Sequence, residues 1–276
     1  MLEFRKKVWA HYKKNGRHDL PWRKTRDPYK ILVSEVMLQQ TQVERVVHFY
    51  KNFLEQFPTA KALAAASLAE VLKSWQGLGY NRRAKMLQAA AREVVEKNKG
   101  KFPKTPEELE ELPGVGPYTA RAIAAFAYNQ DVIFIETNIR TVVTHHFFGK
   151  KKKVSDTEVL KILTSAFPTG KSREWYAALM DYGTYLKKSG VRINAKSKHY
   201  TKQKQFSGSL RQARGAILKE LSRGSATELR LLGLLGDDRV SQMEMAITAL
   251  QKENFIEKRG KSVRLSESPL LRGTHR

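Results

Sequence analysis

Apolar residues recur at helical spacing along almost the whole chain and β-branched runs are short, so the pattern predicts a mainly α-helical protein. Asp27-Pro28 has the form of a helix start, an N-cap acid followed by proline at the first helical position. Ile31, Leu32, Val36, Val43, Val46, Val47, Tyr50 and Leu54 then follow on one face. Further helices are predicted over 60–66, 68–75, 81–98, 105–112, 118–128, 137–147, 155–167 and 172–187. The loops between them carry Gly77-Leu-Gly79, Phe102-Pro103, Pro113-Gly-Val-Gly116 and Pro168-Thr-Gly170. Beyond residue 207 the pattern changes. Helices are predicted over 210–221 and 240–253, with a capping box, Ser225-Ala-Thr-Glu228, opening a third between them. Residues 255–265 then read as a basic hairpin with glycine in its turn. Three helices and such a hairpin predict a winged helix-turn-helix over 207–265, a module that docks on DNA or on proteins. Residues 266–276 have no periodicity and are expected to be disordered.

Composition adds a partner class. The chain has 276 residues, 41% of them hydrophobic, which is enough for two cores. It carries 51 Lys and Arg against 27 Asp and Glu, a formal charge of +24. A polyanion is the expected partner, with nucleic acid first because neutralised phosphates release counterions; ribosomal and membrane-surface proteins share this property. No acid occurs between Tyr182 and Lys219, so this segment reads as a linker or nucleic-acid-facing loop, against the plainer reading of a solvated strap. Cysteine is absent, which excludes disulfides, thiolate metal sites, iron–sulfur clusters and cysteine nucleophiles. No apolar run approaches the ~18–20 residues of a membrane span, and the N-terminus lacks a signal-peptide core. The expectation is a soluble, cytoplasmic, nucleoid-associated protein, monomeric and without membrane contact.

Three local features carry chemistry. Leu112-Pro-Gly-Val-Gly-Pro-Tyr-Thr-Ala120 lies between two helical patterns, with Gly114 and Gly116 around Val115. Two glycines let the backbone turn so that N–H groups and the next helix N-terminus face a phosphate or a bound monovalent cation. This is the helix-hairpin-helix signature of sequence-independent DNA binding. Glu35 is the only acid between Pro28 and Val43 and sits among apolar and neutral neighbours. Burial there would raise its pKa and let it act as a general acid; taken alone, a structural role is the plainer reading. Glu136 follows the apolar run Ile133-Phe-Ile135 at a predicted helix start, where a favourable interaction with the helix N-terminus is locally sufficient.

Residues from about 20 to 183 resemble the MutY-type adenine DNA glycosylases of the helix-hairpin-helix superfamily, which also contains endonuclease III. The matching segments are Leu20-Pro-Trp-Arg23, Ser34-Glu-Val-Met-Leu-Gln-Gln-Thr-Gln-Val43, Trp75-Gln-Gly-Leu-Gly-Tyr80, Leu112-Pro-Gly-Val-Gly116 and Ala178-Leu-Met-Asp-Tyr-Gly183. The resemblance implies an all-α, two-lobed catalytic core over 1–187, with a six-helix lobe at about 22–135 and a second lobe from 1–21 plus 136–187. A basic linker over 188–206 and the winged helix would follow. It implies that Glu35 protonates the departing adenine and that Trp22, Arg23 and Leu38 line the pocket of the flipped base. Gln39, Gln40, Thr41 and Tyr80 would meet the duplex, with Gln40 and Tyr80 holding the stack open. Asn138 would position the second carboxylate. Tyr118 falls where bifunctional relatives carry a Schiff-base lysine, so hydrolysis without strand cleavage is expected.

The chain departs from this pattern in three places. The second carboxylate is Glu136 rather than aspartate, and a displacement of roughly 1 Å can cost about a hundredfold in rate; Glu136 is still expected to stabilise an oxocarbenium-like transition state. The family's four-cysteine iron–sulfur cluster has no ligands here, and Lys187 stands at the first ligand position. Lys187, Lys188, Arg192, Lys196, Lys198, Lys202 and Lys204 are expected to take over phosphate contacts without a cofactor, steepening the log–log salt slope by about 4–5 units. Finally, residues 207–265 are too short for the Nudix-like domain that reads 8-oxoguanine. The expected substrate is double-stranded DNA with adenine opposite guanine or oxidised guanine. The alternatives are a thymine or uracil mismatch glycosylase, or a non-catalytic lesion-binding protein.

Overall fold

The computed structural model describes residues 1–149, 151, 153–191 and 206–266. Arg192, Lys196, Lys198, Lys202, Lys204 and the tail from 267 onward lie outside the described residues. The helices are α1 (Leu2–Asn15), α2 (Pro28–Leu38), α3 (Val43–Gln56), α4 (Ala60–Ala65), α5 (Leu68–Ser74), α6 (Arg82–Glu96) and α7 (Pro106–Glu110), followed by α8 (Pro117–Tyr128), α9 (Thr137–Phe147), α10 (Asp156–Ala166) and α11 (Ser172–Lys188). The C-terminal part contributes α12 (Leu210–Leu221), β1 (Ala226–Thr227), α13 (Glu228–Leu232), α14 (Val240–Lys252), β2 (Ile256–Arg259) and β3 (Ser262–Leu265). Among the described residues no helix is long and apolar enough to cross a membrane.

The chain forms two compact units, counted over described residues. One comprises Met1–Glu35, Phe102–Glu111 and Val115–Lys202; the other comprises Val36–Lys101, Leu112–Gly114 and Gln203–Arg276. These divisions differ from lobes cut at 22 and 136, because the crossing at 35/36 falls inside the continuous helix α2, where no loop punctuation marks it.

In the first unit α8 is buried on nearly every side, and its alanines (Ala120, Ala122, Ala124, Ala125) let neighbours approach closely. Helices α9 and α11 meet at Gly183, where a Cβ would run into the Asn138 backbone carbonyl. The first helix, α1, buries only Phe4 and Val8, so its amphipathic signal is faint. It is held by aromatic contacts of Phe4 with Phe147 and Trp175, and by Arg5, whose Nε donates to the Ala166 carbonyl at 2.8 Å and caps the end of α10.

In the second unit α3 buries Val46, Tyr50 and Phe53, with Phe53 edge-on to Trp75. The single helix expected over 28–54 is two helices broken at Gln39–Gln42, with Gln40 at φ +56°. Its one-sided reading fails because α2 is buried nearly all round from Ile31 to Met37. The C-terminal elements pack within this unit. Lys85 on α6 donates to the Glu253 carbonyl at 3.1 Å and to that of Asn254, beneath the Phe255 ring, and Gln76 donates to Ser222 Oγ at 2.7 Å. Burial lowers the Lys85 pKa to about 8. The hairpin is present, with Gly260 at φ +60° in its turn, and β1 extends it to an antiparallel sheet of order β1-β3-β2. The predicted cap at Ser225 is displaced: Thr227 caps α13 by accepting from the Arg230 N–H, while Ala226 and Thr227 pair with Val263 and Ser262.

Candidate active site

Glu35 lies on the penultimate turn of α2 in the first unit, 6% exposed. The Tyr118 hydroxyl, on the first turn of α8, donates to its Oε2 at 2.9 Å. Burial pushes the Glu35 carboxyl up from the usual 4.5 to about 7; the Tyr118 hydrogen bond draws it down, the Glu136 charge pushes it up, and Arg23 draws it down. Near neutrality such a group holds a proton in a large fraction of molecules and can still give it away. Burial likewise lifts Tyr118 well above the ordinary phenol range, so it remains a neutral hydrogen-bond donor. A phenol has no amine with which to trap a sugar aldehyde.

Glu136 occupies the N-cap of α9. Its Oε2 accepts the Asn138 N–H at 2.7 Å and the Ile139 N–H at 3.4 Å, and its Oε1 accepts Asn138 Nδ2 at 2.9 Å. The capping role that a helix start suggested therefore exists, and it orients both oxygens of a half-buried carboxylate that Glu35 feels electrostatically. Burial raises the Glu136 pKa; the Asn138 N–H, the Lys187 charge, the Ile139 N–H and Arg17 draw it back.

Lys187 departs from the expected outward phosphate contact. Its Nζ donates to Asn138 Oδ1 at 2.6 Å, and burial lowers its pKa while Glu136 raises it. The inward turn follows from its place on the last turn of α11, against α9. Lys188, the next residue, is exposed.

Sequence reasoning passed over Arg17 and Asp181. Asp181 is buried, accepts the Arg17 N–H at 2.9 Å and its Nε at 2.7 Å, and pairs with Arg23 Nη2 at 3.2 Å. Arg23 Nη1 is buried and has no hydrogen-bond partner among the described residues. Trp22, beside it in the turn Pro21–Arg23, is buried. The signal for Asp181 was its place as the one acid within Ala178-Leu-Met-Asp-Tyr-Gly183.

The expected duplex-facing residues fall in the second unit, where Leu38 is half-buried and Gln40 exposed. Arg83, also passed over, ties their turns together. Its Nη1 donates to the carbonyls of Val36 (2.7 Å), Met37 (3.0 Å) and Gln39 (2.7 Å), and its Nη2 to that of Gly79 (3.1 Å) and to Thr41 Oγ1 (3.4 Å). Tyr80, at φ +52°, carries the Arg83 guanidinium 5.4 Å and the Arg211 guanidinium 5.5 Å from its ring centre, and Arg211 donates to its hydroxyl at 2.7 Å. In the glycine hairpin only Gly114 needs its freedom, at φ +75° with Met86 where a Cβ would lie. Gly116 has ordinary extended backbone and open space around it, so it leaves the N-terminus of α8 bare rather than forming the turn.

An iron–sulfur cluster, which the resemblance implies, does not fit these residues. The chain has no thiol, and the side chain at the first ligand position is an ammonium bonded to Asn138. Among the described residues no group of three or more His, Asp or Glu is arranged to hold a metal ion.

Residues 33–168 match the family described as HhH-GPD superfamily base excision DNA repair protein. The adenine DNA glycosylase of Mycolicibacterium smegmatis is 42% identical over 171 residues, 61% of this chain and 58% of that protein. That of Homo sapiens is 44% identical over 149 residues, 51% of this chain and 27% of that protein. The chain thus spans between about a quarter and somewhat over half of these relatives' length. Among solved structures, a thermostable thymine-DNA glycosylase aligns with a TM-score of 0.57 at 26% identity, over 66% of this chain and 87% of that one. An endonuclease III–DNA covalent intermediate shares the fold, with a TM-score of 0.55 at 22% identity over 67% of this chain and 83% of that one. Over residues 33–168, about half of its length, the chain is similar to the HhH-GPD superfamily of base excision DNA repair proteins, and its sequence resembles the adenine DNA glycosylases.

Proposed function

We propose that this protein is a monofunctional DNA N-glycosylase that removes adenine paired with guanine or 8-oxoguanine, working without a resident cofactor. The observation that carries the reading is the pairing of a buried, proton-holding Glu35 with a second, half-buried carboxylate, Glu136, that is fixed by its own helix. The similarity to adenine DNA glycosylases supplies the base. Glu35 donates its proton to the adenine ring as the C1′–N9 bond breaks and the bonding electrons leave with the base. Positive charge develops on the sugar, and Glu136 stabilises it electrostatically. Water adds at C1′ and returns a proton to Glu35. Tyr118 keeps the Glu35 carboxyl oriented and makes no covalent bond to the sugar. The positive charge of the chain and the bare N-terminus of α8 favour double-stranded DNA as the partner. Helices α12 to α14 and the β1-β3-β2 sheet have the composition of a winged helix-turn-helix.

A second reading, thymine or uracil removal from mispairs with guanine, draws on the likeness to a thymine-DNA glycosylase. Duplexes holding A:8-oxoguanine, A:G, T:G or U:G, incubated with the protein and then treated with alkali, separate the two. Alkali-dependent cleavage confined to the adenine strands is expected. Cleavage only at T:G or U:G overturns the choice of base, strand scission before alkali overturns monofunctionality, and binding without any abasic product overturns the enzymatic reading.

A further inference from the structure

Resting on the glycosylase reading, we propose that Lys187 is a positioning residue for the second carboxylate: its ammonium fixes the Asn138 amide, and through it holds Glu136 oriented and ionised. The chain of contacts is short and directional. Lysine offers only donors, so the Asn138 atom that meets Nζ at 2.6 Å must be the carbonyl oxygen. The amide nitrogen of Asn138 is thereby turned toward Glu136 Oε1, 2.9 Å away, while its backbone N–H holds Oε2 at 2.7 Å. The ammonium, which only donates, and the ionised carboxylate, which only accepts, select the same amide orientation from its two ends, so each reinforces the other.

The charge matters as well as the geometry. Glu136 is half-buried and its charge is felt by Glu35; desolvation raises its pKa, and Arg17 and Lys187 are the cations that draw it back down. The Arg17 guanidinium is committed to Asp181, through Nε at 2.7 Å and Nη2 at 2.6 Å. Among the described residues no carboxylate is in direct contact with Lys187, and the Glu136 charge is what raises the Lys187 pKa against burial. A side chain this far engaged inward is not available as a phosphate contact.

The experiment is single-turnover excision from the adenine-containing duplex, across pH and salt, by the wild type, Lys187→Met, Lys187→Arg, Glu136→Gln and the Glu136→Gln/Lys187→Met double variant. Loss of Lys187 should lower the rate about a hundredfold. It should also move the acid limb of the pH profile upward, since Glu136 then takes up a proton at higher pH, and leave duplex affinity and the salt slope unchanged. Arginine should restore most of the rate, and methionine should add nothing in the Glu136→Gln background. A salt slope shallower by about one unit with an unchanged rate would mean a phosphate contact and overturn the proposal; so would an undiminished loss in the double variant. If Lys187→Met does not fold, Lys187→Gln against Lys187→Arg makes the same comparison. A wild type inert on every duplex refutes the glycosylase reading instead. The carboxyl titration of 13C-labelled Glu136 then tests the positioning directly, since a midpoint that Lys187→Met fails to raise overturns it.

Discussion

Replacing Glu35 by Gln should abolish base excision and, at the same time, stabilise the fold in a pH-dependent way. Burial raises the carboxyl from 4.5 to about 7. At 1.36 kcal/mol per unit, the wild type carries a penalty of about 3 kcal/mol once the pH exceeds the folded value. The sign follows from proton binding. Below 4.5 both folded and unfolded chains hold the proton and no penalty exists; between the two values the unfolded chain has released it, and wild-type stability falls as the pH rises. Above about 7 the loss is complete. Glutamine has nothing to ionise, and its amide oxygen can still accept from the Tyr118 hydroxyl. Urea unfolding followed by tryptophan fluorescence is the assay, because three of the four tryptophans, Trp9, Trp22 and Trp175, lie in the first unit with Glu35. The variant should match the wild type near pH 4 and exceed it by about 3 kcal/mol near pH 8. A gain of the same size at both pH values, or none at pH 8, would refute the claim that desolvation sets this carboxyl.

The helices were legible in the sequence wherever their ends carried side-chain chemistry. Asp27 accepts the Tyr29 N–H at 2.9 Å, Ser67 and Ser155 form complete capping boxes, and the corresponding helix starts fall within a residue of the pattern. The failures have specific causes. Helix α1 was missed because it buries two residues and relies on tertiary contacts. The break at Gln40 was missed because α2 buries nearly its whole circumference, which leaves no polar face to show where the periodicity stops. Strand β1 is two residues long and exists only through pairing with β3, so no local pattern could announce it.

The site was legible to a different depth. Glu35 stood out as an isolated acid in an apolar segment, and desolvation is the largest influence on it. Glu136 gave only the signal of a helix cap, and nothing local to it indicates a second carboxyl group brought near from about a hundred residues away. The inward turn of Lys187 was hidden for the opposite reason. It begins a run rich in Lys and Arg, and a charge run predicts a solvated face, whereas the close approach of α9 to α11 at Gly183 carries this one lysine toward Asn138.

Tyr118→Phe removes a hydroxyl that favours the ionised form of Glu35, so the basic limb of the excision profile should move to higher pH, with the neutral rate kept within about tenfold. A limb displaced to lower pH in single-turnover assays would show that the hydroxyl acts otherwise. Gly183→Ala places a methyl group where the Asn138 backbone carbonyl lies, so α9 and α11 must separate, at a cost of about 1–3 kcal/mol in urea unfolding. Gly215→Ala, on α12 with open space around it, is the control and should be neutral or stabilising by up to about 1 kcal/mol. Because Asn138 also orients Glu136, excision by Gly183→Ala should fall even at temperatures where the variant remains fully folded; an unaltered rate under those conditions would mean that helix spacing does not set the second carboxylate.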